Sequence, residues 1–253
     1  MLPAPAYVIS DAHLGFATRE VEQSLLSFLR HLRGRAGSLV INGDLFEFWF
    51  EWRHVMPRRA FRVLSLLADL RESGVPVLML AGNHDCWGGD ILRTDVGLDY
   101  RLGAWEGSLG GWHTRIDHGD GLRKVEDRKY RMLRRVLRSP ISIALFRWLH
   151  PDLGSALAAG SSNTSRNYQP RDGGAGLRAV AQEALAAHNA PELVVYAHSH
   201  VAALERIGPG VYGNAGGWMD RPTYLRVSPE KVELCQWIGD DEVIQTSIAR
   251  ISK

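Results

Sequence analysis

Hydrophobic and polar residues follow one another along the first hundred positions in a rhythm that predicts strands and helices in turn. A buried strand is indicated at Tyr7–Ser10, a helix at about residues 18–33, and a second strand at Leu39–Asn42. Apolar residues then recur at helical spacing over about residues 57–73, and a further apolar run covers Val75–Ala81. This strand–helix–strand–helix–strand order favours a parallel sheet with helices packed against it.

The second half of the chain follows a different pattern. Residues from about 121 to 190 have a helical pattern, interrupted at residues 160–176 by a stretch rich in serine, asparagine and glycine. Later strands are predicted at Val194–Tyr196, Val201–Ile207, Thr223–Val227, Val232–Trp237 and Val243–Ile248. The sequence shows no internal repeat and no long linker. We therefore expect a single domain over residues 1–253 with a helical insertion, the lid, over residues 121–170.

The composition is that of an ordinary globular protein, with 45% hydrophobic and 23% charged residues among 253. Two cysteines are too few for a disulfide framework and fit a reducing compartment. The N-terminus lacks the pattern of a signal peptide, and no apolar run approaches the ~18 residues of a membrane span. A net charge of +2 does not favour a nucleic-acid partner. We expect a cytoplasmic protein whose membrane contact would be peripheral.

Five short polar motifs stand out, and four of them directly follow a predicted strand. They are Asp11-Ala12-His13, Gly43-Asp44, Gly82-Asn83-His84-Asp85, His118-Gly119-Asp120 and His198-Ser199-His200. In open α/β sheets ligands bind beyond the carboxyl ends of the strands, so these side chains are expected to meet in one crevice. Each motif alone could be a turn or a surface histidine, and it is their repetition at strand ends that favours a shared site.

The donor atoms of these motifs indicate a metal centre. Carboxylates, an amide and imidazoles, without a thiolate, suit Mn²⁺, Fe, Zn²⁺ or Mg²⁺. Seven candidate ligands are too many for one tetrahedral ion, but they suffice for two ions ~3.5–4 Å apart that share a carboxylate. The seven are Asp11, His13, Asp44, Asn83, His118, His198 and His200. Two such cations would activate water and neutralise a phosphoryl group.

The order of the motifs resembles the calcineurin-like metallophosphoesterase superfamily, whose pattern is D-x-H, G-D, G-N-H-[DE], H and G-H-x-H. Only the glycine of the last motif differs, because Ala197 stands there. The resemblance implies a four-layer αββα sandwich with the lid inserted into it. It assigns to one metal the ligands Asp11, His13, Asp44 and His200, and to the other Asp44, Asn83, His118 and His198.

His84 is not a metal ligand in the superfamily pattern. We assign it to stabilising a phosphoryl oxygen or protonating the leaving group, with Asp85 orienting its ring. The alternative is a structural histidine beside the metals. Trp49 and Trp52 either line the same cleft or pack in the core.

The lid sequence mixes basic and apolar residues. Its basic residues are Arg123, Lys124, Arg128, Lys129, Arg131, Arg134, Arg135, Arg138 and Arg147, against only Glu126 and Asp127. An apolar patch lies between Ser139 and Leu149. Such a segment suggests an anionic membrane surface, here the cytoplasmic face of the inner membrane, or an amphiphilic anionic ligand. A solvated helix lying over the core is the alternative.

The lid looks like that of the UDP-2,3-diacylglucosamine diphosphatase family of lipid A biosynthesis. The resemblance rests on Tyr130, Arg131, Arg138-Ser139-Pro140, Phe146-Arg147-Trp148-Leu149 and Ser165-Arg166, together with Gly43 to Trp49 in the second motif. It implies cleavage of the pyrophosphate of a diacylated UDP-sugar to UMP and 2,3-diacylglucosamine 1-phosphate, usually with Mn²⁺. Arg166, Asn163 and Tyr130 are then candidate substrate contacts.

One position departs from the best-known branch of that family, which carries arginine where this chain has His84. The substrate could therefore be the diacylated UDP-sugar, or a nucleotide or another soluble phosphodiester. A non-catalytic binding scaffold is the alternative from another class. A scaffold would have no need for seven metal donors, which favours an enzyme.

Overall fold

Two β-sheets packed face to face form the centre of the protein. The computed structural model describes residues 1–157 and 172–251. The strands are β1 (Ala6–Ile9), β2 (Ser38–Asn42), β3 (Val77–Leu80), β4 (Asp99–Arg101), β5 (Trp105–Leu109), β6 (Trp112–Ile116), β7 (Leu193–Tyr196), β8 (Ala203–Ile207), β9 (Gly210–Asn214), β10 (Thr223–Val227), β11 (Lys231–Ile238) and β12 (Asp241–Ala249). The helices are α1 (Arg19–Leu32), α2 (Phe61–Glu72), α3 (Arg128–Leu137), α4 (Pro140–Arg147) and α5 (Ala175–Leu185). Short helical turns cover Arg58–Ala60 and Ile91–Asp95, and residues 151–157 are also helical.

The larger sheet has seven strands in the order β12-β11-β10-β1-β2-β3-β4. Strands β1 to β4 run parallel to one another, whereas β10, β11 and β12 add an antiparallel edge. The smaller sheet has the order β5-β6-β7-β9-β8, and its three central strands are parallel. The parallel strands of each sheet end in the loops that carry the polar motifs.

The alternation of side chains along β1 shows how the layers are built. Tyr7 and Ile9 join the core beneath α1 and α2, whereas Ala6 and Val8 join the core between the two sheets, because successive side chains of a strand face opposite ways. On the far side, α5 covers the smaller sheet through residues such as Leu177. The four-layer αββα sandwich predicted from the sequence is confirmed.

Four strands were not predicted, and their composition explains why. Strands β5 and β6 form a hairpin across Gly110-Gly111 with polar residues between their buried ends, so no continuous apolar run marks them. The buried strand β9 contains Gly210 and Gly213, which are ordinarily turn signals. Strand β4 is only three residues long. The other predicted strands and helices are present, with ends that differ by a few residues.

The described part of the lid, residues 121–157, contains α3, α4 and the helical residues 151–157. The helices α3 and α4 contain no fully buried residue. Two tryptophans of the sandwich hold it by hydrogen bonds. Trp87 Nε1 donates to the carbonyl of Leu137 over 2.9 Å, and Trp52 Nε1 donates to that of Leu149 over 3.1 Å. Trp49 is fully buried in the core and stacks on Phe46. Trp49 and Trp52, for which the sequence allowed either a place in the cleft or packing in the core, are therefore both buried packing residues.

The predicted substrate contacts Asn163 and Arg166 lie outside the described residues. Within residues 1–157 and 172–251, no helix combines the length and the apolar character needed to cross a bilayer.

Candidate metal centre

The five motifs occupy loops at the carboxyl ends of parallel strands from both sheets. Asp11 follows β1, Asp44 follows β2, and Asn83 follows β3. From the smaller sheet, His118 follows β6 and His198 follows β7. The edge formed by these loops, called here the motif edge, is where an α/β architecture presents a ligand site.

Five of the candidate ligands have a left-handed backbone conformation. Their φ angles lie between 46° and 62°, and they are Asp11, His13, Asp44, His198 and His200. Such angles cost roughly 1–3 kcal/mol for a residue with a side chain and cluster at functional sites. Backbone hydrogen bonds between the first two loops, from Asp11 to Gly43 and from His13 to Asp44, help to hold this geometry.

The first group of ligand atoms belongs to Asp11, His13 and His200. The Nε2 atoms of the two histidines are 3.3 Å apart, and His200 Nε2 lies 3.5 Å from Oδ1 of Asp11. Carboxylates orient both rings from behind: Glu47 Oε2 is 3.0 Å from His13 Nδ1, and Asp220 Oδ2 is 2.6 Å from His200 Nδ1. This is the arrangement by which proteins fix the tautomer of a metal-binding histidine.

The second group belongs to Asp44, His118 and His198. His118 Nδ1 donates to the carbonyl of Asn42 over 2.8 Å, which directs its Nε2 towards Oδ2 of Asp44, 3.3 Å away. The rings of His118 and His198 have centroids 5.2 Å apart. Burial works against the charge on Asp44, but the neighbouring histidines, His118 foremost, hold the pKa of its carboxyl well below the ordinary value.

Asp44 also lies within reach of the first group, since its Oδ2 is 3.8 Å from His13 Nε2. Its other oxygen accepts a hydrogen bond from the backbone of His84 over 2.9 Å. This position requires glycine next to it: a β-carbon on Gly82 would lie 2.1 Å from Asp44 Oδ1.

Unsatisfied polar atoms test whether these residues fit metal ions. Oδ1 of Asn83 is buried and has no hydrogen-bond partner. Oδ1 of Asp11 and Nε2 of His118 are also buried, and their contacts with His200 and Asp44 do not have the geometry of hydrogen bonds. Buried polar atoms are almost always paired, because leaving one unpaired costs roughly 1–3 kcal/mol. Divalent cations would satisfy these oxygen and nitrogen donors, so the residues present fit the metals that the sequence predicts.

His84 lies at the inner border of this site. Its ring is in edge contact with that of His13 at a centroid distance of 4.9 Å, and its Nδ1 is 2.8 Å from the carbonyl oxygen of Glu47. His84 also belongs to a third group of neighbouring donor atoms with His13 and Asp44. The ring is therefore beside the metal ligands, where a catalytic group is expected.

Asp85 has other partners than those predicted. Its carboxylate accepts hydrogen bonds from the backbone amides of Gly82 and Leu45, both over 2.8 Å, and from that of Asp44 over 3.3 Å. Burial first, and then the charge of Asp44, raise the pKa of Asp85 to about 6. Asp85 thus joins two motif loops, and Glu47 supplies the contact to the ring of His84 that we expected from Asp85.

Sequence reasoning did not find Glu47, Asp220 or Asn42, which orient the candidate ligands. Glu47 lies three residues after Asp44, and this short distance is the one sequence signal that could have linked it to the Gly43-Asp44 motif. Asp220 lies in a turn of the antiparallel part of the chain and carries no local signal. Its role depends on a contact across 20 residues.

A cavity of about 300 Å³ opens beside Asn83 and His84 and runs between the sandwich and the lid. Its apolar walls are formed by Phe48, Phe50, Trp87, Leu133, Leu137, Ile143, Phe146 and Leu157. Tyr130 also lines it and donates from its hydroxyl to Asp120 over 2.6 Å. The lid, which directly follows His118-Gly119-Asp120 along the chain, thus forms one cavity together with residues of the motif loops.

A family model described as calcineurin-like phosphoesterase matches residues 4–202. The chain belongs to this family. All five motifs fall inside the matched residues, so membership of the calcineurin-like phosphoesterases confirms the resemblance found in the sequence and the expectation of an enzyme. A family that uses divalent metals also agrees with the clustered donors.

Several curated relatives carry one name, UDP-2,3-diacylglucosamine hydrolase. That of Porphyromonas gingivalis is 35% identical over 164 residues, which is 63% of this chain and 63% of the relative. That of Pectobacterium carotovorum is 27% identical over 89% of this chain and 96% of the relative. Among solved structures, Vacuolar Protein Sorting 29 from Cryptosporidium parvum matches with a TM-score of 0.47 at 10% identity, covering 97% of each chain.

Proposed function

We propose that this phosphoesterase hydrolyses the pyrophosphate bond of UDP-2,3-diacylglucosamine, releasing UMP and 2,3-diacylglucosamine 1-phosphate. The observation that carries the proposal is the cavity that joins Asn83 and His84 to apolar walls from the sandwich and the lid. The names of the relatives support the same substrate. A soluble phosphodiester would not need an apolar cavity next to its cleavage site.

The apolar part of the cavity suits acyl chains. Burying one methylene group contributes about 0.8 kcal/mol, so even part of a fatty-acyl chain would bind appreciably here. Phe146 of α4 lies at the centre of this wall, with ring centroids 4.8 Å from Phe50 and 5.9 Å from Phe48. The lid therefore supplies a surface that a diacylated substrate could cover.

Two arginines of the lid lie near the motif loops that carry Gly82 and Asp120. Arg138 lies 3.5 Å from the carbonyl of Gly82 and 3.7 Å from the carboxylate of Asp120, and its Nε is buried without a hydrogen-bond partner. Arg134 is 3.4 Å from the same carboxylate. A guanidinium held in this way is suited to a phosphate oxygen. We assign Arg138 and Tyr130 to substrate binding.

We assign the metal ligands as the sequence predicted them, with Asp11, His13, Asp44 and His200 at one ion and Asp44, Asn83, His118 and His198 at the other. Manganese is the proposed cation in both positions. Bound divalent cations would lower the pKa of a water molecule and stabilise negative charge on the phosphoryl oxygens. Glu47 and Asp220 keep the rings of His13 and His200 in the orientation that this requires.

His84 is assigned to the reacting phosphate itself. Its Nδ1 lies 2.8 Å from the carbonyl oxygen of Glu47, and its ring lies among the donor atoms of His13 and Asp44. A histidine there can donate a hydrogen bond to the phosphoryl oxygen or a proton to the departing group.

The exposed side of the lid is proposed to contact an anionic membrane peripherally. Large apolar side chains on α3 and α4 face solvent, and Trp148, directly after α4, is 90% exposed. Arginines alternate with them, as Arg135 and Arg147 show. Such a surface favours the interface of an acidic bilayer, where the substrate's acyl chains would reside.

One experiment tests the substrate. Purified protein loaded with Mn²⁺ is incubated with UDP-2,3-diacylglucosamine, and UMP is measured by chromatography. Release of UMP supports the proposal, and its absence at micromolar enzyme with intact cleavage of bis-p-nitrophenyl phosphate would indicate a soluble phosphodiester instead. Metal analysis that finds less than one cation per chain would indicate a binding scaffold.

A further inference from the structure

A second cleft, lined by arginines, lies where the N-terminal ends of α1 and α2 meet. It has a volume of about 480 Å³, and its lining contains four arginines and one glutamate beside two apolar residues: Arg19, Arg58, Arg59, Arg62, Glu22, Ala17 and Phe61. None of these residues belongs to the metal motifs or to the cavity beneath the lid. The cleft is therefore a separate feature with a strong excess of positive charge.

Acidic residues balance the charge of the cleft only in part, through Glu22 in its lining and Glu20 next to Arg19. Within residues 1–157 and 172–251, none of Arg19, Arg58 and Arg62 forms an ion pair with a carboxylate. All three residues are exposed to solvent. Arginine stays protonated at any physiological pH. Several guanidinium groups around one small cleft repel one another, and a bound anion would remove that repulsion.

Backbone amide groups add to the positive electrostatic potential of the cleft. The turn Arg58–Ala60 and the helix α2 behind it begin without a side-chain cap and without an acidic residue in the first turn. The unpaired amide groups at such a helix start carry a partial positive charge that favours anions. At α1 the opposite holds, because Thr18 caps the helix and Glu20 and Glu22 lie in its first turn. The attraction is thus concentrated on the α2 side of the cleft.

The cleft is also connected to the motif edge. Arg59 donates from Nη1 to the carbonyl of Gly15 over 2.8 Å. Gly15 lies two residues after His13, in the loop that follows β1. In a parallel α/β fold the N-terminal ends of the helices lie at the same edge as the carboxyl ends of the strands, so an anion in the cleft would sit beside the metal centre on the same face.

We propose that this cleft is a second binding site, which takes a phosphate-bearing anion. Guanidinium groups recognise phosphate through paired N–H donors, and the cleft offers four of them with only one opposing carboxylate. The phosphate can come from a free phosphoester or from the head group of an anionic lipid. The site does not depend on the substrate proposed for the metal centre.

The test compares a cleft variant, Arg58→Gln/Arg62→Gln, with a control of equal charge change, Arg30→Gln/Arg33→Gln, near the other end of α1. Equilibrium dialysis of the metal-loaded proteins against radiolabelled inorganic phosphate gives the number of sites and their affinity. Any phosphate bound at the metal centre is common to all three proteins. Sedimentation with vesicles of phosphatidylglycerol and phosphatidylcholine, compared with phosphatidylcholine alone, probes the lipid head group. Circular dichroism verifies that both variants fold.

We expect the cleft variant to bind one of the two probes at least ~10-fold more weakly than the wild-type protein, while the control changes little. A loss confined to dialysed phosphate identifies a soluble anion, and a loss confined to acidic vesicles identifies a lipid head group. Equal behaviour of cleft variant and control in both measurements, whether both are weakened or both are unchanged, would overturn the site.

Discussion

The motif edge and the lid both carry many charged residues, but these are buried at the motif edge and largely exposed in the lid. At the motif edge, side chains such as Asp11 and His118 are almost completely buried, and second residues fix their orientation. The described part of the lid has exposed helices that the sandwich holds at a few points, among them Trp52 and Trp87. The side chains of the motif edge are therefore held by burial and hydrogen bonds, whereas the described helices of the lid have few such contacts with the sandwich.

This difference separates two tasks. A metal centre needs donor atoms within a few tenths of an ångström of their positions, which only a packed and hydrogen-bonded setting provides. Binding of the proposed amphiphilic substrate by the lid would need apolar area and positive charge, with less demand on exact position. We therefore expect changes at the motif edge to remove chemistry, and changes in the lid to alter affinity for particular substrates.

The largest effect is expected for Asp44→Ala, because Asp44 is close to both groups of donor atoms. Metal binding and turnover should both be lost. Mass-spectrometric metal analysis and cleavage of bis-p-nitrophenyl phosphate measure the two quantities. Asp99→Ala, at an exposed carboxylate of β4, is the control and should retain both. Full activity of Asp44→Ala would remove the basis of the two-metal assignment.

Next in size is His84→Ala. The variant should keep its metals and lose roughly 10²–10⁴-fold in turnover, the scale of general acid–base catalysis. His113→Ala, at a largely exposed histidine of β6, is the matched control. If metal content fell together with the rate, His84 would be acting as a ligand. An unchanged rate would make it a structural histidine.

A smaller effect on activity is expected for Glu47→Ala, because Glu47 contacts the candidate ligand His13 and is not itself a candidate ligand. The loss of the carboxylate that orients His13 should weaken metal affinity by about 10- to 100-fold, while excess metal restores most of the activity. Titration of the metal-free protein with Mn²⁺, followed by activity, gives the affinity. Glu106→Ala, at an exposed glutamate, should titrate like the wild type. Identical titration curves for all three proteins would show that Glu47 does not support the centre.

The smallest effect on chemistry is expected in the lid, at Phe146→Ala. It should raise KM for the diacylated substrate about tenfold through lost apolar contact, and leave cleavage of bis-p-nitrophenyl phosphate unchanged. Leu145→Ala changes a neighbouring side chain of α4 that is 67% exposed and does not line the cavity. An equal loss on both substrates would mean that the lid supports the metal centre rather than the acyl chains.

The sequence predicted the motif edge better than its surroundings, for a physical reason. Asp11, Asp44 and His198 follow strands whose apolar pattern is local, so both the strand and the ligand after it can be recognised in a short stretch. Glu47 and Asp220 act through contacts made only after folding, and a lone acidic residue gives no local signal of such a role. The same holds for Asp85, whose hydrogen bonds to backbone amides of neighbouring loops have no counterpart in the sequence.

The lid is a second region whose long-range contacts could not be predicted from the sequence. Its sequence predicted helices, but not which side chains would form the cavity. Trp87, from the segment after β3, and Phe50, from the segment after β2, complete the wall opposite α3 and α4. Residues so distant along the chain come together only through the three-dimensional arrangement of the two layers.

The contact between Gly82 and Asp44 has a consequence for how this protein can change over generations. Any substitution at codon 82 introduces a β-carbon where an oxygen of Asp44 already lies, so the mutation would damage a residue 38 positions away in sequence. A library randomised at this codon and selected for hydrolysis should return glycine alone. Gly82 would then tolerate substitution as little as Asp44 does, although glycine carries no functional group.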